Sequence, residues 1–249
     1  MKKILAVLLL SFFSVLCMGE EIFISKPGDK EGKSCQAVRI KDNWFLTAAH
    51  CVADICNAEC EVKMQIPGDI IETSQKNIYW FNERQGNNAS YDIALMNFKD
   101  AKIPGKFKEP QILIVDNFIK FAEPKIIDRS LKIPFNLGGS VGEIASLNKI
   151  FYGPKSKIIF TADLGLFHGL SGAGVFTNNG ELIAITSATA GRGDEIRFSV
   201  FSVFDERVES FLKSKIPSLY FKHVNRSDFT DVEKLKHNKE ILISLDNNI

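Results

Sequence analysis

The chain has 249 residues, 31 Lys and Arg against 30 Asp and Glu, 45% hydrophobic residues and five cysteines. That length holds one large domain or two modest lobes with ample apolar material for a core. A net charge of +1 excludes a nucleic-acid binder carried by bulk charge and an acidic disordered tail, and the composition is neither low-complexity nor collagen-like.

Lys2 and Lys3 precede an apolar run from Ile4 to Val15, and the small residues Cys17 and Gly19 follow it. A basic start, an apolar run of about a dozen residues and a small-residue exit predict a secretory signal peptide over residues 1–19. The run is too short to cross a bilayer of about 30 Å as a helix. The expectation is an exported chain, secreted or periplasmic, with no membrane span once the signal is removed. Cleavage takes Cys17 away and leaves Cys35, Cys51, Cys56 and Cys60. An even number outside the cytosol points to two disulfides. A zinc site built from the four is the rival, although only one close cysteine pair is present.

Short β-type runs recur at 36–40, 44–48, 62–66, 93–98, 112–115, 158–161, 174–177, 182–187 and 197–204. Gly, Asn, Asp and Pro clusters separate them, which predicts an all-β barrel or sandwich. Asn179-Gly180 between two such runs predicts a hairpin. Phe204, Val208, Phe211 and Leu212 share one face of a helix expected over 204–213, and Pro217 stops it. Thr230-x-x-Glu233 has the form of a capping box opening a second helix toward Leu245.

Three segments carry chemistry. Phe45-Leu46-Thr47-Ala48-Ala49-His50-Cys51 ends a β-type run on a histidine, Tyr91-Asp92-Ile93-Ala94-Leu95 places an aspartate before an apolar strand, and Gly169-Leu170-Ser171-Gly172-Ala173-Gly174 sets a serine in a glycine-rich turn. A serine hydroxyl attacks well only when a base removes its proton. Histidine titrates in the useful range, and a buried carboxylate fixes its tautomer and stabilises the imidazolium. Glycines beside the serine let backbone N–H groups point at an oxyanion.

In this order the motifs resemble those of the trypsin/chymotrypsin-like serine peptidases, over roughly residues 21–215. The resemblance implies two packed six-stranded antiparallel β-barrels with a C-terminal helix. The first barrel would cover about 20–115 and the second 116–203; the helix at 204–213 would complete a peptidase domain over 20–215, with 216–249 as an extension. It implies His50 as general base, Asp92 as its orienter and Ser171 as nucleophile, with the N–H groups of Gly169 and Ser171 forming the oxyanion hole. By the same likeness Cys35 pairs with Cys51, leaving Cys56 for Cys60. The resemblance also implies a primary pocket with its base at Gly165, and places Thr186 and Ser187 on the strand that would meet the substrate backbone. A glycine base offers no carboxylate for Lys or Arg, so a small or apolar side chain is expected there. Leu170 stands where digestive members carry the aspartate that responds to zymogen cleavage, and no Ile-Val-Gly-Gly start is present. Asp163, eight residues before Ser171, instead resembles the bacterial branch. The implied protein is a serine endopeptidase acting on protein or peptide substrates without a cofactor. The alternatives are a peptidase-fold binding protein that has lost activity and an esterase using the same site.

Overall fold

A computed structural model of the chain describes residues 19–29, 31–53, 55–56, 59–66, 69–81, 91–99, 101–103, 107–115, 125–127, 131–137, 140–146, 150–152, 158–161, 169–177, 179–192, 195–224 and 230–231. The expected signal segment, save Gly19, lies outside these residues.

Two β-sheets share one core. The first holds seven strands, β1 (Gly19–Ser25), β2 (Gly32–Lys41), β3 (Trp44–Thr47), β4 (Glu61–Ile66), β5 (Asp69–Ser74), β6 (Ile78–Trp80) and β7 (Ala94–Asn97). They run antiparallel in the order β5-β4-β1-β2-β3-β7-β6. Alternation sets the inner face: Val62, Met64 and Ile66 of β4 are buried while Glu61, Lys63 and Gln65 face outward. A short helix, α1 (Ala49–Ala53), follows β3.

The second sheet comprises β8 (Gln111–Val115), β9 (Lys125–Ile127), β10 (Leu131–Leu137), β11 (Ser140–Ser146), β12 (Ile150–Tyr152), β13 (Ile158–Thr161), β14 (Gly174–Thr177), β15 (Glu181–Arg192), β16 (Glu195–Val203), β17 (Phe221–Val224) and β18 (Thr230–Asp231). Its path is β11-β10-β14-β15-β16-β13-β12-β9-β18, with β8 beside β15 and β17 beside β8. The hairpin expected at Asn179-Gly180 joins β14 to β15, and Gly180 closes it by donating to the Thr177 carbonyl at 2.9 Å. Buried side chains from both sheets and from the C-terminal helix, among them Ile22, Phe45, Leu46, Leu95, Ile185, Phe204 and Leu212, form a continuous hydrophobic cluster. Among the described residues no helix is long and apolar enough to cross a membrane.

The all-β architecture with a C-terminal helix is as expected, and among the described residues its sheets hold seven and eleven strands. The structure departs from the sequence expectations in several places. The segment 111–115, placed by sequence at the end of the first lobe, pairs in the second sheet through parallel contacts that local periodicity does not reveal. The helix, α2, spans Glu206–Lys215, because the Asp205 carboxylate accepts from the N–H groups of Arg207 and Val208 and so fixes its start. Phe204 lies before this cap, yet is fully buried as its spacing implied. Thr230 lies in β18 and pairs with Ile126 of β9, and the rest of the helix expected toward Leu245 lies outside the described residues. Residues 216–224 pack on the body: Ile216, Leu219, Phe221 and Val224 are buried, and Lys222 reaches Glu181 at 2.6 Å.

Both disulfides form, Cys35–Cys51 and Cys56–Cys60. They engage all four cysteines that a zinc site would have required.

Candidate active site

The first sheet delivers a histidine and an aspartate side by side. β3 ends at Thr47, and the small residues Ala48 and Ala49 let the chain turn into α1 within the core. Cys51 is tied to Cys35 of β2, which fixes the turn. His50, between buried Ala49 and Cys51, keeps 39% of its side chain exposed. β3 pairs with β7 so that Thr47 opposes Ala94, and this brings Asp92 beside His50. His50 Nδ1 lies 2.5 Å from Asp92 Oδ2, and the His50 backbone N–H donates to Asp92 Oδ1 at 2.7 Å.

Two residues of the second sheet complete the surroundings of Asp92. Ser187 Oγ donates to Asp92 Oδ2 at 2.7 Å, and the Asp92 backbone N–H donates to Ser202 Oγ at 3.1 Å. Burial of Asp92 works against its charged form. The hydrogen bond and charge of His50, together with the Ser187 hydroxyl and the His50 N–H, outweigh burial and hold the carboxyl below the ordinary aspartate value of 3.8. Ser187 reaches this position because the pairing of β15 with β16 shifts between Thr186 and Ala188. Such a bulge re-aims a side chain.

Ser171 sits in the turn before β14. Gly169 at φ 96° and Gly172 at φ 90° occupy backbone conformations that L side chains rarely adopt. The peptide after Ser171 is held from both sides: its carbonyl accepts from the Gln36 N–H of β2 at 2.7 Å, and its N–H, that of Gly172, donates to the Thr186 carbonyl of β15 at 2.8 Å. The Ala173 N–H closes the turn on the Leu170 carbonyl at 3.0 Å. None of these backbone hydrogen bonds uses the N–H of Gly169 or Ser171 as donor. Ser171 Oγ makes a long contact of 3.5 Å to the Ser187 carbonyl. Cys51 Sγ lies 3.9 Å from His50 Nε2 and 3.8 Å from the Ser171 carbonyl oxygen, so the disulfide touches both the histidine and the serine turn.

His50, Asp92, Ser171 and Ser187 are thus brought together where the two sheets meet. Thr186 is buried beside them, with both backbone groups engaged by the serine turn and no hydrogen-bond partner for Oγ1. Gly165 and Asp163 lie outside the described residues. The sequence reading missed the contacts of Gln36, Ser187 and Ser202 with this cluster. No local motif marks them; only the pairing of distant strands does.

Residues 22–113 match the family model described as Trypsin. The fold is similar to that of protease Anisep from Arthrobacter nicotinovorans at 16% identity, covering 82% of this chain and 97% of that one, with a TM-score of 0.57. It is similar to a Glu endopeptidase in complex with MPD at 17% identity, over 82% and 93% of the two chains, with a TM-score of 0.57. It is also similar to the scabies mite inactivated protease paralogue S-I1 at 16% identity, over 81% and 96%, with a TM-score of 0.53. No curated protein matches the chain. The fold is therefore trypsin/chymotrypsin-like, all-β with a small C-terminal helix.

Proposed function

We propose that the protein is an exported serine endopeptidase in which Ser171 is the nucleophile, His50 the general base and Asp92 the residue that orients it. The observation that carries this reading is the contact of His50 Nδ1 with the part-buried carboxylate of Asp92 at 2.5 Å, beside the glycine-built turn bearing Ser171. The Asp92 contact fixes the tautomer with its proton on Nδ1, which leaves Nε2 free to accept. Rotation of the Ser171 hydroxyl away from the Ser187 carbonyl turns it toward Nε2. Attack on a peptide carbonyl then passes the serine proton to His50, and the N–H groups of Gly169 and Ser171 receive the oxyanion. His50 returns the proton to the leaving amine, an acyl-enzyme forms, and water activated by His50 hydrolyses it. Asp92 stays ionised throughout. A pocket based at Gly165 would take a small or apolar side chain. The apolar N-terminal run behind two lysines and the two disulfides support export.

A fluorophosphonate probe tests the reading. Purified protein becomes labelled, and Ser171→Ala abolishes labelling; folded protein that is not labelled sinks it. One observation favours a second reading, an inactive binding protein of the same fold: Ser171 Oγ contacts the Ser187 carbonyl and not His50. In that case the same experiment gives no label.

A further inference from the structure

Asp205 lies outside the groups assigned to the chemistry, yet it is fully buried and bonded through both oxygens. Its Oδ1 accepts from the N–H groups of Arg207 and Val208 at 3.0 and 3.1 Å, capping α2. Its Oδ2 accepts from the Tyr91 hydroxyl at 2.6 Å. A helix cap needs one side-chain oxygen, and serine or threonine would supply it at less desolvation cost than a buried carboxylate. The second oxygen therefore calls for its own explanation.

Tyr91 provides one. It is 6% exposed and directly precedes Asp92. Its ring lies 4.9 Å from that of Phe81, which in turn lies 5.5 Å from Phe211 of α2. The next residue is tied to the same stretch of chain: the Asp92 N–H donates to Ser202 Oγ, close before Asp205. The segment leading from β16 into α2 thus holds residues 91 and 92 by two hydrogen bonds and an aromatic stack. Asp92 belongs to the first sheet's side of the site, and this anchor comes from the second.

On the peptidase reading above, we infer that Asp205 is a positioning residue, which through Tyr91 sets the placement of the Asp92 carboxylate against His50. Tyr91→Phe removes the link alone, keeping the ring and the cap. Asp205→Ser keeps a cap oxygen and loses the reach to Tyr91. Asp205→Asn keeps the cap and offers Tyr91 an amide partner.

The measurement is the saturation kinetics of fluorophosphonate labelling, with thermal unfolding and the low-field proton resonance of His50 Nδ1 as companions. Tyr91→Phe and Asp205→Ser lower the maximal labelling rate by roughly 10- to 100-fold, as misplacement on the order of 1 Å does. The half-saturating probe concentration stays within about twofold, since probe binding is untouched. The His50 resonance moves in both variants. Asp205→Asn recovers most of the rate, and the double variant Tyr91→Phe/Asp205→Ser is no slower than the slower single one. A folded Tyr91→Phe protein with unchanged rate and resonance overturns the inference, leaving Asp205 as a cap only. If Asp205→Ser does not fold, Tyr91→Phe carries the test with the cap intact. If the parent protein is never labelled, the peptidase reading fails separately, and the His50 resonance in Tyr91→Phe still decides whether Asp205 positions Asp92.

Discussion

Gly172 lies against Gln36 so closely that a Cβ at residue 172 would stand 2.0 Å from the Gln36 carbonyl oxygen. The same atom would stand 2.4 Å from Thr47 Oγ1, itself bonded to that carbonyl at 2.7 Å. The serine turn, β2 and the strand leading to His50 are therefore in contact at one point, and only a residue without a side chain fits there. Gly172→Ala meets both the positive φ and this backbone contact. The expected cost is about 3 kcal/mol or more, from backbone strain and overpacking together. Thermal unfolding of the variant checks it, and an unchanged midpoint refutes it.

Asp92 links the site to acid stability. Its folded carboxyl titrates below the unfolded value of 3.8, so the native state binds fewer protons than the unfolded chain as pH falls through that region. Its stabilising contribution is complete above the unfolded value and is lost as pH falls through the folded one. Asp92→Asn is expected to unfold more easily than the parent at pH 7, and the difference is expected to close toward pH 2. Urea unfolding across that range provides the measurement. A gap that widens on acidification contradicts it.

The two disulfides are expected to act unequally. Cys35–Cys51 closes a separation of 16 residues and touches both His50 and the Ser171 turn, whereas Cys56–Cys60 closes one of 4. Chain entropy alone gives about 3 kcal/mol for the first and about 2 kcal/mol for the second. Cys35→Ala/Cys51→Ala should slow probe labelling as well as lower stability, and Cys56→Ala/Cys60→Ala should lower stability alone. Equal labelling rates in the two variants would count against the argument.

The extension supplies core. Truncation after Lys215 exposes the surfaces covered by Ile216, Leu219, Phe221 and Val224 and strips β8 of its β17 partner. At about 1.5 kcal/mol or more for each large apolar side chain, the loss reaches about 6 kcal/mol, comparable with the whole stability of many domains. The truncated chain is expected to be insoluble or molten by near-UV circular dichroism. A cooperative unfolding transition at the parent's midpoint would show the extension to be dispensable.

What was legible in the sequence was local. The small residues before His50, the aspartate opening an apolar strand and the glycines around Ser171 are each written within a few positions, and the chain order of the three adds the rest. The hairpin at Asn179-Gly180 was readable for the same reason, since turn chemistry is local. The bulge that turns Ser187 onto Asp92 was not, because it arises from the register between β15 and β16. Asp205 was read as part of a helix because apolar spacing finds a buried face without marking where the helix begins. The parallel pairing of β8 with β15 and β17 joins residues far apart in sequence, and no periodicity encodes it. The pairing of Thr230 with Ile126 of β9 likewise joins distant residues that no local pattern links.

The peptide bond after Ser171 is gripped by β2 on its carbonyl side and by β15 on its N–H side. A single planar unit is thus shared between the two halves of the molecule, and neither half can shape it alone. During synthesis the first sheet emerges before the second, so a half-made chain holds His50 and Asp92 but has no formed serine turn. On the peptidase reading, hydrolytic power then arrives only with the last docking step, and a nascent or partly unfolded copy is harmless to its neighbours.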